Sequence, residues 1–537
     1  MNKLLKVLLA VLMVLTMTGC TGKPDDPTPG QKTAITNEEF DALMLSWFKE
    51  DIGSDYMSLH FAVEDPSVYG IATPEVTLGS ALSDDEDTTD QDRLALLNSL
   101  DTSELGEDQL ITYKTLVKSY ETMVAFADLE EDYGFAFTPN SGINNNLTTY
   151  FTEFDIRKPQ EAVDLIALVK DSKRYVEECI DYTKEQFEKG IAQPDSVIND
   201  VLDQCKRFIE KREDNEVITV YSDRLDELGY ENAAELKSQM QDAVLNYLIP
   251  AYEEIIEMYE GIKGTKVSKG AMSNYGEGGK AYYEALFAYK SSSSLSVSEW
   301  KTLLRKAIRE EYNNLLRIYS NNADDYANWS DDTDSYGLTD AYEIFTALQS
   351  KITQDFPAPA TTSYVIDFLD PSVASENVAA YYLVCPIDNI HNNVVKANPA
   401  YGVNNPNEFV ATLSHEGFPG HLYQNTFYYF GEHPNKEIRY NTSFIGWSEG
   451  WAMYVEDYCY GYFAKNTNYA KLSRCDNALN YYLEAYLDIL VNYEGYTVSK
   501  LASEMENLGF NGSAARNIYS TLIGDPALFV PYSCGLY

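Results

Sequence analysis

Two histidines six residues apart, His415 and His421, with Pro419-Gly420 just ahead of the second, constrain this chain more than any other stretch of its 537 residues. On a continuous α-helix, six steps of about 100° carry a side chain roughly 240° round the axis, so the two imidazoles would face nearly opposite ways. Proline disrupts the helical hydrogen-bond ladder, and glycine admits dihedrals closed to other residues. The segment His415-Glu416-Gly417-Phe418-Pro419-Gly420-His421 is therefore expected to contain a bulge or break that returns His421 to the side of His415. The chain has only five histidines, and His415, His421 and His433 fall close together.

Two imidazoles beside carboxylates suit a catalytic zinc ion, which takes three protein ligands, leaves a position open for water and needs a base near that water. A second helix would supply the third ligand, and Phe444 to Glu456 reads as one. Glu449 and Glu456 are seven apart and share a helical face. Glu449 is assigned as the ligand, and Glu456 as a carboxylate further along that holds a histidine N–H. Glu416, next to His415, is then free to act as general base. Two histidines and one carboxylate suit zinc best among divalent ions. His433 reads as a loop residue, His391 as a candidate substrate contact, and His60 has no evident role.

His415 to His421 and Gly446 to Tyr454 resemble the H-E-x-x-P-G-H and G-W-x-E-G-W-A-x-Y patterns of a bacterial family known as domain of unknown function 885, whose members look like gluzincin-type zinc metallopeptidases. A weaker likeness extends over most of the chain, including Gly278 to Tyr283, so the whole reads as one catalytic unit. The resemblance implies His415, His421 and Glu449 as metal ligands and Glu416 as general base. The family also shows a P-x5-Y-x2-G pattern, reproduced by Pro526, Tyr532 and Gly535. That implies Tyr532 as a hydrogen-bond donor to a developing oxyanion. The family usually continues beyond this glycine, whereas this chain stops at Tyr537, so a truncated C-terminus is expected.

At the other end, Lys3 and Lys6 precede the apolar run Val7 to Leu15, which is too short to span a bilayer and closes on small residues. Residues 1–19 are expected to be a signal peptide, with Thr18-Gly19-Cys20 resembling a lipobox that leaves Cys20 lipidated. Residues 20–35, with Pro24, Pro27 and Pro29, read as a flexible tether. The protein is thus expected outside the cytoplasm, anchored to a membrane through the lipid on Cys20 alone. A formal net charge of −44 repels phosphate backbones, which excludes nucleic acid as a partner. Six further cysteines, none in a CxxC pair, are too sparse for a disulfide-stapled scaffold.

Between tether and histidine motif the pattern is helical over residues 36–350. Ile198, Val201, Leu202, Cys205, Phe208 and Ile209 recur at steps of three and four after Pro194-Asp195. Ser296-Val297-Ser298-Glu299 is a capping-box start. Asp84 to Asp87, Asn140 to Asn146 and Ser291 to Ser294 read as loops. Residues 351–537 form the metal-site region, where Ser363 to Phe368 and Ala379 to Cys385 are β-branched and aromatic between prolines and are expected to form the only sheet. An exposed strand there would accept an extended peptide as an additional strand.

The expected fold is therefore mainly α, a large helical metallopeptidase-like structure with a central cleft and a small sheet near the active-site helix. The expected function is a zinc-dependent peptidase. Two rivals are a lipid-anchored peptide-binding protein with a structural or inactive metal site, and a hydrolase of a non-peptide amide or ester.

Overall fold

Apolar residues at helical spacing account for most of the architecture. The computed structural model describes residues 32–81, 88–331, 336–369, 378–430, 433–442 and 444–537. The signal peptide, Cys20, most of the tether and the Asp84 to Asp87 run lie outside the described residues. The fold is mainly α. Helix Asp195–Glu210 buries Ile198, Val201, Leu202, Cys205 and Phe208 in a core shared with helices Pro159–Lys189 and Ile249–Ile262. The Asn140 to Asn146 stretch is a loop only as far as Gly142, for helix Ile143–Glu153 begins inside it. The asparagines there find partners that a loop reading does not foresee: Asn144 donates to Gln204, Asn145 to the Pro139 carbonyl and Asn146 to the Ser141 carbonyl. All six described cysteines are free and buried. Among the described residues no helix is long and apolar enough to cross a membrane.

The second half of the chain builds the frame of the histidine motif. Eight of its helices carry the description that follows, in chain order α1 (Gly276–Ser291), α2 (Val297–Asn321), α3 (Ala341–Ile352), α4 (Pro406–Glu416), α5 (His421–Phe430), α6 (Ile445–Phe463), α7 (Thr467–Asp488) and α8 (Val530–Leu536). The Ser296–Glu299 capping box starts α2. Between α3 and α4 lie β1 (Tyr364–Phe368), β2 (Ala380–Leu383) and β3 (Asn393–Ala397). β3 is central, parallel to β1 and antiparallel to β2. Ile366 and Val395, on one face of the sheet, join Phe345, Phe409, Leu413 and Phe418 in a core beneath α4. This sheet is not the only one, since Thr33–Ala34 pairs in parallel with Leu100–Asp101.

α8 crosses α6 at glycines. A Cβ on Gly450 would lie 2.6 Å from the Gly535 Cα, and one on Gly535 would collide with the Gly446 carbonyl. The approach is closed to any larger residue. Two buried carboxylates fix the turn that launches α8. Asp525 accepts from Thr138, Asn140 and Ser141, and Asp488 accepts from Tyr283 and from the N–H of Ala527, whose φ is +60°.

Candidate metal centre

Helix α4 ends at Glu416, the chain reverses over 417–420, and α5 begins at His421. His415 thus sits in the last turn of one helix and His421 in the first of the next, which removes the 240° mismatch of a continuous helix. The reversal demands glycine at both positions. A Cβ on Gly420 would collide with the His415 carbonyl, and one on Gly417 with the Phe345 ring. Phe418, 1% exposed, anchors the turn in the core. The Phe418–Pro419 peptide is cis. Trp451 of α6 donates its Nε1–H to the Pro419 carbonyl at 2.8 Å, tying the reversal to the facing helix.

That helix also carries Glu449. Its Oε2 lies 3.4 Å from His415 Nε2 and 3.5 Å from His421 Nε2, and the two rings meet edge to face at 4.9 Å. One donor atom from each of His415, His421 and Glu449 falls within 4.8 Å of the others. Donors around a tetrahedral zinc, with bonds of about 2.0–2.2 Å, stand roughly 3.3–3.5 Å apart. Glu449 Oε2 is buried and accepts no hydrogen bond. A buried oxygen of this kind is costly unless a partner is supplied, and a cation between the two nitrogens is such a partner. The residues present fit zinc.

The electrostatics run the same way. Burial opposes charge on His415, yet Glu449, Glu456 and Glu416 outweigh it and push the imidazole up to about 10. Burial would raise Glu449, but His415 and His421 hold it down to about 2. Three carboxylates around two imidazoles thus draw positive charge into the cluster. Burial raises Glu416, whose Oε2 accepts the N–H of Tyr382 in β2 at 3.0 Å while Oε1 stands 4.0 Å from His415 Nε2.

Glu456 lies on the far side of His415, its Oε2 3.1 Å from Nδ1. Its other oxygen accepts from Asn477 at 3.2 Å and Tyr460 at 3.4 Å. Tyr532 of α8 stacks on Tyr481 at 5.8 Å. Burial, and then the charges of Glu449 and Glu416, raise its phenol, which stays protonated. Among the described residues its hydroxyl has no hydrogen-bond partner.

The structure therefore gathers His415, Glu416, His421, Glu449, Glu456 and Tyr532. It leaves the other histidines out: His391 is exposed in the turn between β2 and β3, His433 stacks on Tyr428, and His60 is buried against Phe154 and Arg157. Sequence reasoning missed the Tyr382 N–H, a backbone group with no side-chain signal. It also missed Tyr481, Asn477 and Trp451, of which Trp451 alone lies inside a motif.

Comparison with solved structures finds the same fold in two proteins of low sequence identity. The "putative lipoprotein" from Colwellia psychrerythraea has a TM-score of 0.77 at 15% identity, over 94% of this chain and 92% of that one. A "putative lipoprotein of unknown function" from Shewanella oneidensis has a TM-score of 0.53 at 12% identity, over 92% and 91%. Comparison with curated proteins finds no match. The pattern of DUF885, a family of bacterial proteins of unknown function, runs from residue 77 to residue 535, through both histidines, Glu449 and Tyr532, and the chain belongs to that family.

Proposed function

We propose that this chain is a zinc-dependent peptidase acting outside the cytoplasm and held to a membrane by lipid on Cys20. The observation that carries the metal is Glu449 Oε2, buried, without a hydrogen bond and poised between two imidazole nitrogens. The lipobox-like Thr18-Gly19-Cys20 supports the anchor, and both structural relatives bear lipoprotein names.

Zinc, when bound, supplies the positive charge that acidifies water and polarises a carbonyl oxygen. Glu416 has one oxygen fixed by Tyr382 and the other turned to the cluster, and burial has raised its proton affinity. It takes the proton of the attacking water and returns it to the leaving amine. Glu456 fixes the orientation of His415 through Nδ1. The Tyr532 phenol donates to the oxygen that gains charge. Because the Tyr382 N–H turns to Glu416 and not to β3, the outer edge of β2 faces the cluster. An extended peptide adds there as a further strand, which favours a peptide over a compact amide or ester.

Metal analysis of purified residues 21–537 tests this reading. About one zinc per chain is expected, and close to none in folded His421→Ala; full zinc in that variant would remove His421 from the site and with it the purpose of the reversal. Glu456→Gln is expected to weaken zinc roughly 10–100-fold in a chelator competition. An unchanged affinity would reduce Glu456 to a packing role.

A further inference from the structure

Glu456 and Asp457 are neighbours on α6, so their side chains leave the helix about 100° apart. Glu456 turns to His415, its Oε2 3.1 Å from Nδ1. Asp457 is buried, and burial pushes its carboxyl up to about 8 against the pull of the Asn477 amide, with the Glu456 charge adding to the rise. Two carboxylates this close repel each other unless a donor stands between them. Asn477 of α7 is that donor, its Nδ2 lying 3.2 Å from Glu456 Oε1 and 3.0 Å from Asp457 Oδ1. A primary amide has two N–H groups on one nitrogen, one for each carboxylate. Turned over, it would set its carbonyl oxygen against both, so the network fixes which way the amide points. Tyr460 also donates to Glu456 Oε1, at 3.4 Å, but from one turn along the same helix. Among the described residues, Asn477 is the only hydrogen-bond partner besides His415 that reaches Glu456 from outside α6.

We infer that Asn477 is a positioning residue of the metal centre, holding Glu456 aligned on His415 Nδ1 so that His415 Nε2 stays turned to the metal; the inference rests on the zinc part of the proposed function and not on its substrate. A histidine that donates through Nδ1 keeps Nε2 free as a ligand. Nε2 is the nitrogen that stands 3.4 Å from Glu449. Without the amide, nothing separates the Glu456 and Asp457 carboxylates, and Glu456 is free to swing away from the imidazole it orients. α7 braces the other side of the cluster as well. One turn on from Asn477, and on the same helical face, Tyr481 stacks on Tyr532 and its carbonyl accepts from Ser533. A single helix, distant in sequence from the histidine motif, therefore supports both His415 and the phenol of Tyr532.

A double-mutant cycle tests this, with zinc affinity read by chelator competition on the parent, Glu456→Ala, Asn477→Ala and the double variant. Asn477→Ala is expected to weaken zinc about tenfold, the lower end of the cost of losing an outer partner of a metal-bound histidine. Made in Glu456→Ala, the same substitution is expected to cost less than about twofold, because no carboxylate is left to align. A role in packing alone would lower the thermal midpoint of the zinc-free protein by itself and leave the affinity where it was. Asn477→Asp, close to the parent in size but without a donor when ionised, runs the same cycle where the alanine variant does not fold. Unchanged affinity in a folded single variant, or losses that add in full, would overturn the proposal and leave the peptidase standing. The expected cycle without any turnover of peptide would remove the peptidase and keep Asn477 in its role. A parent chain that takes up no zinc would remove the metal centre, and the proposal with it.

Discussion

Glu416→Gln is expected to keep about one zinc per chain and to lose peptide hydrolysis by roughly 10²–10⁴-fold, the usual worth of a positioned general base. The amide is nearly isosteric and still offers an oxygen to the Tyr382 N–H, so the contact at 3.0 Å survives and β2 keeps its place beside α4. His415, His421 and Glu449 are untouched, and metal occupancy should follow them. What disappears is the ability to accept a proton, for which burial has prepared this carboxylate. Parallel zinc analysis and a single-turnover assay check the separation. Turnover within a few-fold of the parent would remove Glu416 as the base. Loss of zinc together with activity would show that Glu416 holds the cluster together.

The site was more legible in the sequence than the frame around it. His415, His421 and Glu449 share one cluster because the elements that bring them together are local: a helix end, a four-residue reversal marked by Pro419-Gly420, and one facing helix. Period and capping likewise mark helices such as Asp195–Glu210 and Val297–Asn321. Long-range pairing leaves no such mark. β3, the middle strand, escapes a pattern search because its apolar run is broken by Lys396, a charge that makes sense only beside Glu153 and Asp367. The asparagines of helix Ile143–Glu153 mislead for the same reason, since the acceptor of the Asn144 amide N–H is Gln204, sixty residues on. Asp488 and Asp525 direct α8 through bonds to residues far away in the chain.

Tyr532→Phe is expected to lower kcat roughly 10²–10³-fold, the scale for removing one donor to a developing oxyanion, with zinc content and thermal midpoint unchanged. The hydroxyl has no partner among the described residues, so its loss breaks no hydrogen bond in the resting protein. The ring keeps its stack on Tyr481. An energetic cost confined to the reaction is what distinguishes a catalytic phenol from a packed one. A packed tyrosine would give the opposite result, a lower midpoint with turnover intact, and that outcome would remove Tyr532 from the mechanism. Gly535→Ala supplies the contrast. Its new methyl group meets the Gly446 carbonyl and the backbone of Gly450, so α8 must shift away from α6, taking Tyr532 with it. Both activity and midpoint should fall. Activity lost without instability in Tyr532→Phe, but with instability in Gly535→Ala, would separate the chemistry of the hydroxyl from the packing that delivers it.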